Sequence, residues 1–564
     1  MLLSSSGGST TIPISVTVGT AVFEQINPIT FTMPVGGNNP LPQILSVDTN
    51  NNSGTPYFQV AVAANGGNWL SVPSCNNANY PCTTPFPVTV NVVNASTLPA
   101  GTYTGEVTIY QDTNPQMSVT VPVTLNVEPS GAFFNNVPGQ MSFTIPQNAK
   151  TVTAQALAIT NAGSGKLKFT ITPSTSDGGA WLTTSAVTGS APKTLSVEIV
   201  PANLPGGGAL AGTYVGQLLL VGGTDTVTIP VTVTVGNGAF MQLNPLNFVM
   251  PAGGTNPLPQ VLTVPGIGNA ALRFYQITTT ATGGSWLSIA GGACSNANYP
   301  CTTPYPLSVN VVNGYNLAAG VYTGQVTVYE DTNPAWSVTA PVTLTVVGTS
   351  KAFFDNTPGQ SSFSFAPGTK TSQTETINLG NGGAGTLAWS VKTNTADAGK
   401  WLKVVPTKGT NTGSYTITVT PSKLPGAGKN AGTFIGQEVL AAKTGNVTIP
   451  IAVTVDNPVF VPVAPLVFNT SHGGNPTSQT ATISSTGTAI NFYQTTTSSK
   501  GGNWLSISSS ACSNPNYPCP TPTNLTVNVA SSSLAVGTYY AEIIIFEDTN
   551  PGESMTIPVV LNVQ

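Results

Sequence analysis

Six cysteines carry the most specific chemistry in the chain, and they fall into three pairs: Cys75 with Cys82, Cys294 with Cys301, and Cys512 with Cys519. Each pair encloses six residues in closely similar stretches, CNNANYPC, CSNANYPC and CSNPNYPC. Bonding within each loop is the simplest pairing, and three such disulfides imply an oxidising, exported setting, extracellular or on a cell surface. Zinc is the competing chemistry, but two thiolates supply half of a tetrahedral structural site, and the one histidine, His472, stands apart in the last repeat. Closing a loop of this size contributes about 2.5 kcal/mol through chain entropy. Each loop also carries a tyrosine, Tyr80, Tyr299 or Tyr517. These are candidate contact residues, able to meet a neighbouring repeat, another chain or a glycan.

A second recurrent group is Asp-Thr-Asn-Pro, at Asp112 to Pro115, Asp331 to Pro334 and Asp548 to Pro551. It joins strongly alternating segments and reads as a hairpin turn held by Asx hydrogen bonds. Calcium would need roughly six to eight oxygens, and the adjacent carboxylate, Glu330 or Glu547, is Gln111 in the first copy. No metal and no cofactor are expected. His472 lies in Thr470-Ser471-His472-Gly473-Gly474, with no sign of a nucleophile and acid around it, and the sparse carboxylates read mostly as turn residues. A glycosidase needs two carboxylates facing across a cleft. None is legible, so the chain reads as a non-enzyme. Isopeptide staples between lysine and asparagine are not general either, since residues 20–127 contain no lysine.

Charge is scarce. Lys, Arg, Asp and Glu make up 6% of the 564 residues, with a net charge of −4, where an ordinary soluble domain has about 25% charged residues. No basic patch could neutralise a run of phosphates, which excludes nucleic acid as a natural partner. An anionic membrane surface is an equally poor partner, since that attraction needs clustered lysine or arginine, and no apolar run approaches the roughly 18 residues of a membrane span. Water must be met by threonine, serine, asparagine, glutamine and backbone. Weak self-repulsion also permits close packing of copies.

The elements that position these groups repeat. Residues 20–128, 237–348 and 457–564 align as one type, A, which carries the cysteine loops; 129–236 and 349–456 align as a second, B. A Trp-Leu pair marks every repeat, at Trp69, Trp181, Trp286, Trp401 and Trp504, each followed roughly 30 residues later by Gly-x-aromatic, as in Gly101-Thr102-Tyr103. These tryptophans are expected in sandwich cores. Trp336 and Trp389 break the pattern, and Trp336 is a candidate interdomain or carbohydrate contact. Val119, Val121, Val123, Leu125 and Val127 alternate with polar residues, a period of two that belongs to half-buried strands. The fold class is all-β: tandem immunoglobulin-like β-sandwich repeats of about seven strands each, in an elongated array. A proline in every last strand, at Pro122, Pro230, Pro341, Pro450 and Pro558, implies an edge position or a bulge. Very short linkers imply tight joints, and five sandwiches in line would approach about 200 Å.

Residues 1–19 align with the end of a type B repeat, Thr11-Ile12-Pro13-Ile14 matching Thr228-Ile229-Pro230-Val231. They read as the C-terminal strands of a truncated repeat, so that a longer array is expected. The unit Trp69-Leu70-Ser71-Val72, then Gly101-Thr102-Tyr103-Thr104-Gly105, then Val121-Pro122-Val123-Thr124-Leu125, with counterparts in all five repeats, resembles bacterial BACON-like modules. The resemblance implies immunoglobulin-like repeats of large exported proteins and glycan-degrading enzymes, serving as spacers in many settings and first associated with carbohydrate binding. The cysteine loop is an addition to that pattern. The sequence therefore supports a structural stalk or filament-forming surface protein, associating with itself or with neighbouring repeats; the alternative is an adhesin or glycan-binding array that uses the type A loops.

Overall fold

The computed structural model describes residues 22–564 except 50–55, 78, 80, 130, 136, 153, 224, 282, 356, 398, 499–501 and 509–511; ahead of residue 22 it describes residues 16 and 18 and the backbone of 2–5 and 8–11. Tyr80 and Ile12-Pro13-Ile14 thus lie outside the described residues. Leu2–Ser5 pairs antiparallel with Gly8–Thr11.

The third repeat shows the type A plan. A five-stranded sheet runs in the order Leu246–Pro251, Ser337–Val347, Gly320–Glu330, Arg273–Thr280, Cys301–Thr302, and a three-stranded sheet in the order Gln260–Val264, Tyr305–Val311, Leu287–Ile289. Type B keeps the five-stranded sheet and enlarges the other to four strands, in the second repeat Phe134–Asn135, Gln155–Asn161, Lys193–Ile199 and Leu182–Thr184. The period-two pattern produces these sheets directly: Val119, Val121, Val123, Leu125 and Val127 are all buried, while Thr120 and Pro122 between them are exposed. The Trp-Leu tryptophans lie between the sheets, none more than 2% exposed. Their indole N–H groups still find acceptors: Trp181 donates to Asp177 Oδ1 at 3.1 Å, Trp401 to Asp397 Oδ1 at 3.0 Å, and Trp69 to the Asn65 carbonyl at 2.9 Å.

The proline-bearing last strand is not at an edge. It lies between the first strand of the repeat, parallel to it, and the strand before it, antiparallel. The parallel partner begins one residue past the proline in every repeat, Ile29 opposite Val123, Met141 opposite Val231, Leu246 opposite Val342, Ser361 opposite Ile451 and Leu466 opposite Val559. The missing N–H therefore falls where the strand has no neighbour on that side, and it ends the free half of the strand.

The repeats overlap laterally instead of meeting only at their tips. In the second repeat the last strand, Asp225–Val235, is buried on both faces: Val227, Ile229, Val231 and Val233 point into its own core, while Thr228, Thr232 and Thr234 are covered from outside. Much of the threonine that the low charge left to meet water thus meets a neighbouring repeat. Thr228 accepts from the Thr30 amide at 2.7 Å and donates to Gln43 Oε1 at 2.9 Å, so the edge strand of the first repeat has its backbone capped by side chains of the second. Thr448, Asn247 and Gln260 repeat the arrangement between the fourth and third repeats. Joints of the other kind use serine: Ser142 Oγ accepts from the Thr339 amide at 2.6 Å, and Ser362 Oγ from the Thr556 amide at 2.8 Å. Alternate repeats also touch, Val261 of the third packing with Tyr493, Ile544 and Phe546 of the fifth. A purely in-line string would leave these faces wet; small hydroxyl side chains let sheet edges settle against sheet faces with their amides paired.

Candidate contact site

Each cysteine loop is locked at several points. Cys75–Cys82, Cys294–Cys301 and Cys512–Cys519 are bonded, with Cα separations of 5.2, 5.3 and 5.1 Å. The first cysteine of each pair is buried and holds a left-handed backbone, with φ of 57°, 53° and 61°. That conformation is costly for a residue with a Cβ. It is fixed by a carbonyl that accepts a strand amide: Cys75 from Val60, Cys294 from Gln276 and Cys512 from Gln494. The second cysteine opens a two-residue strand on the edge of the five-stranded sheet. Between them an asparagine side chain shapes the turn, Asn77 accepting from the Asn79 amide, Asn296 from Asn298 and Asn514 from Asn516 at 2.9 to 3.0 Å.

This frame holds the loop tyrosines outward. Tyr299 is 74% exposed and Tyr517 67%. Neither packs beneath its own disulfide. In type B the same place is a three-residue strand, Thr188–Ser190 or Lys408–Thr410, with no loop to present. Gly409 there is required by packing, because a Cβ would come within 2.3 Å of the Trp389 ring, which is buried and tilted against Tyr415. Trp336 follows the hairpin turn of the third repeat and is half-buried. It lies over Gly236 of the second repeat, where a Cβ would stand 3.4 Å from its ring, so its contact is with the neighbouring repeat. His472 is an exposed turn residue whose Nδ1 lies 3.0 Å from the Leu534 carbonyl.

A second convergence was not legible as a site. Between the fourth and fifth repeats lies a cleft of about 720 Å³, walled by Phe363, Ile377, Phe460, Met555 and several prolines, with Glu375 and Tyr540 among its polar groups. Beside it Glu438 and Glu542 are almost wholly buried, on strands and not at turns. Tyr415 donates to Glu438 at 2.6 Å, and Glu542 accepts the Gly359 amide at 2.8 Å. Burial pushes the Glu375 carboxyl up to about 7, against a lowering hydrogen bond from Ser361, and those of Glu438, Glu542 and Glu553 up to about 8, where nearby acids add to the rise. The spacing of acids along the sequence gave no hint of this, since Glu375, Glu438 and Glu542 meet only through folding.

The family model described as the viral BACON domain matches residues 138–234 and 357–454, the bodies of the two type B repeats. The comparison with curated proteins found no match. Among solved structures, four extracellular domains of Drosophila N-cadherin align at 14% identity over 76% of this chain and 99% of that one, with a TM-score of 0.17. The human desmocollin-1 ectodomain aligns at 10% identity over 95% of this chain and 98% of that one, with a TM-score of 0.16. An endo-fucoidan hydrolase of glycoside hydrolase family 107 aligns at 14% identity over 58% and 44%, with a TM-score of 0.15. Scores this low carry no argument about arrangement or activity. The two type B repeats match the viral BACON domain and the type A loops are closed by disulfides, so the chain is an extracellular array of tandem immunoglobulin-like β-sandwich repeats, two of which resemble that domain.

Proposed function

We propose that the chain is an adhesive array, in which laterally packed sandwiches hold the type A loops toward a partner surface, and that it performs no catalysis. The observation that carries this reading is the outward presentation of Tyr299 and Tyr517 on loops fixed by a disulfide, a strand amide and an Asx turn. An exposed, rigid tyrosine offers a flat apolar face and a hydroxyl at little entropic cost, which suits a sugar ring or a complementary protein surface. Rigidity also makes the loops multivalent, since one chain carries several at fixed spacing. The partner surface is proposed to be a glycan or a second copy of the chain.

The experiment is binding of the purified chain to immobilised glycans and to immobilised copies of itself, before and after Tyr299→Ala and Tyr517→Ala. Binding lost at unchanged thermal stability supports the adhesive reading. Binding untouched by the substitutions, or absent on both surfaces, leaves a stalk or filament as the better account. The feature favouring that second reading is the buried hydroxyl pairing of the joints, which serves stiffness.

A further inference from the structure

The joint between the fourth and fifth repeats differs in chemistry from its counterpart between the second and third. Ladder registers place Glu375 opposite the role of Gln155, Glu438 of Leu218, Tyr415 of Leu195 and Glu542 of Gln325. Glu553 stands where the third repeat has Trp336, and Asp456 where the second has Gly236. A neutral, tryptophan-filled joint has thus become an acidic one flanking a cleft. Gly359 sits at its centre: its amide donates to Glu542 of the fifth repeat at 2.8 Å, and its carbonyl accepts from Val261 of the third at 3.1 Å.

We propose that the joint between the fourth and fifth repeats is a pH-operated hinge, closed while its buried carboxyl groups keep their protons and released, with the fifth repeat leaving Gly359, as they ionise. The groups facing one another are acids, hydroxyls and amides. Glu542 faces the Gly359 amide and Glu375; Glu438 faces Tyr415 and Glu375; Glu375 faces Ser361 and both glutamates; Glu553 faces the Phe460 amide, Glu547 and Asp456; Tyr540, on the cleft wall, faces Asp355. Among the described residues no lysine or arginine acts on these four glutamates, and the one ion pair there, Arg273 with Asp331, lies within the third repeat. Glu438 and Glu542 each keep one carboxyl oxygen buried without a hydrogen bond, a position a neutral group tolerates far better than a charged one.

The sign follows from linkage. The two that the joint itself covers, Glu375 on the cleft wall and Glu542 against Gly359, hold their protons in the closed state up to about 7 and about 8, against an ordinary value of 4.5, while Glu438 and Glu553 stay buried within their own repeats. Closure is therefore fully favoured below 4.5 and is lost as pH rises through about 7 to 8. The pivot would be the Asp456-Asn457-Pro458 linker.

Small-angle scattering and amide exchange on the full chain test this. Between about pH 6 and about pH 9 the longest dimension should grow, and exchange at Gly359 and Thr556, corrected for its intrinsic pH dependence, should rise about tenfold or more. Glu375→Gln with Glu542→Gln introduces the residues used at the earlier joint and should abolish the response. The reverse substitution, Gln325→Glu, should confer one on the joint between the second and third repeats. A wild-type profile that does not change with pH, a response that survives the double glutamine variant, or a Gln325→Glu chain whose earlier joint stays closed at about pH 9 would each overturn the proposal.

Discussion

Thr448 of the fourth repeat donates its hydroxyl to Gln260 Oε1 of the third at 2.6 Å, in a joint where both side chains are buried. The same hydroxyl accepts from the Asn247 amide at 2.8 Å, and Gln260 returns a bond to the Asn247 carbonyl at 2.7 Å. One threonine and one glutamine thereby cap the backbone of an edge strand. Thr448→Val keeps the shape and removes the hydroxyl, leaving Gln260 Oε1 and the Asn247 amide unpaired. A loss of about 1–3 kcal/mol is expected, read by urea unfolding together with faster exchange at Asn247. No change in either would mean that water replaces the hydroxyl.

Two tryptophans separate core from joint. Trp401 is enclosed by both sheets and anchored to Asp397, so Trp401→Ala is expected to cost about 3–5 kcal/mol and to unfold the fourth repeat first. Trp336, half-buried over Gly236, should cost less in stability when truncated but loosen the second repeat from the third. Calorimetry of Trp336→Ala checks this: a single transition split in two is the expected result, and a uniform downward shift would place Trp336 with the core.

Strand existence and the repeat plan were legible because burial of alternating valines is a local property, written every second residue from Val119 to Val127. The cysteine loops were legible for the same reason, both ends lying in one short stretch. What the sequence did not reveal was the outer face. Thr228 and Thr448 read as solvent-facing alternation, and only the neighbouring repeat buries them. Pro122 pointed to an edge strand, yet the parallel partner simply starts one residue later. The acids were missed for a related cause: Glu375, Glu438 and Glu542 lie on three strands of two repeats, and no local pattern distinguishes a glutamate that faces water from one that faces a sheet.

The disulfides make a prediction confined to one repeat type. Replacing Cys294 and Cys301 by serine reopens an eight-residue loop and should destabilise the third repeat by about 2.5 kcal/mol through chain entropy. The left-handed backbone at residue 294 should relax as well, so exchange at Gln276, whose amide donates to that carbonyl, is expected to speed up. Reductant should reproduce the effect in the three type A repeats and leave the two type B repeats, which contain no cysteine, unaffected. A response to reductant in the second or fourth repeat would mean that the loops support their neighbours and not only themselves.

Tyr415 and Glu438 test whether the polar pair inside the fourth repeat stabilises it at all. The second repeat fills these positions with Leu195 and Leu218 and folds the same way. Glu438→Leu alone strands the Tyr415 hydroxyl in an apolar core and should cost about 1–3 kcal/mol. Adding Tyr415→Phe removes that unpaired hydroxyl while keeping the ring beside Trp389, so the double variant should equal or exceed the parent in stability. The comparison must depend on pH. The Glu438 carboxyl, pushed up to about 8 chiefly by burial, contributes its stability in the protonated form and loses it as pH rises through that value. The advantage of the double variant should therefore be small at about pH 4.5, grow as pH rises to about 8 and level off above it. Denaturant midpoints at the two pH values decide the matter, since an advantage that stays constant would mean that Glu438 titrates near the ordinary carboxylate range and that its burial in the fourth repeat is relieved by water.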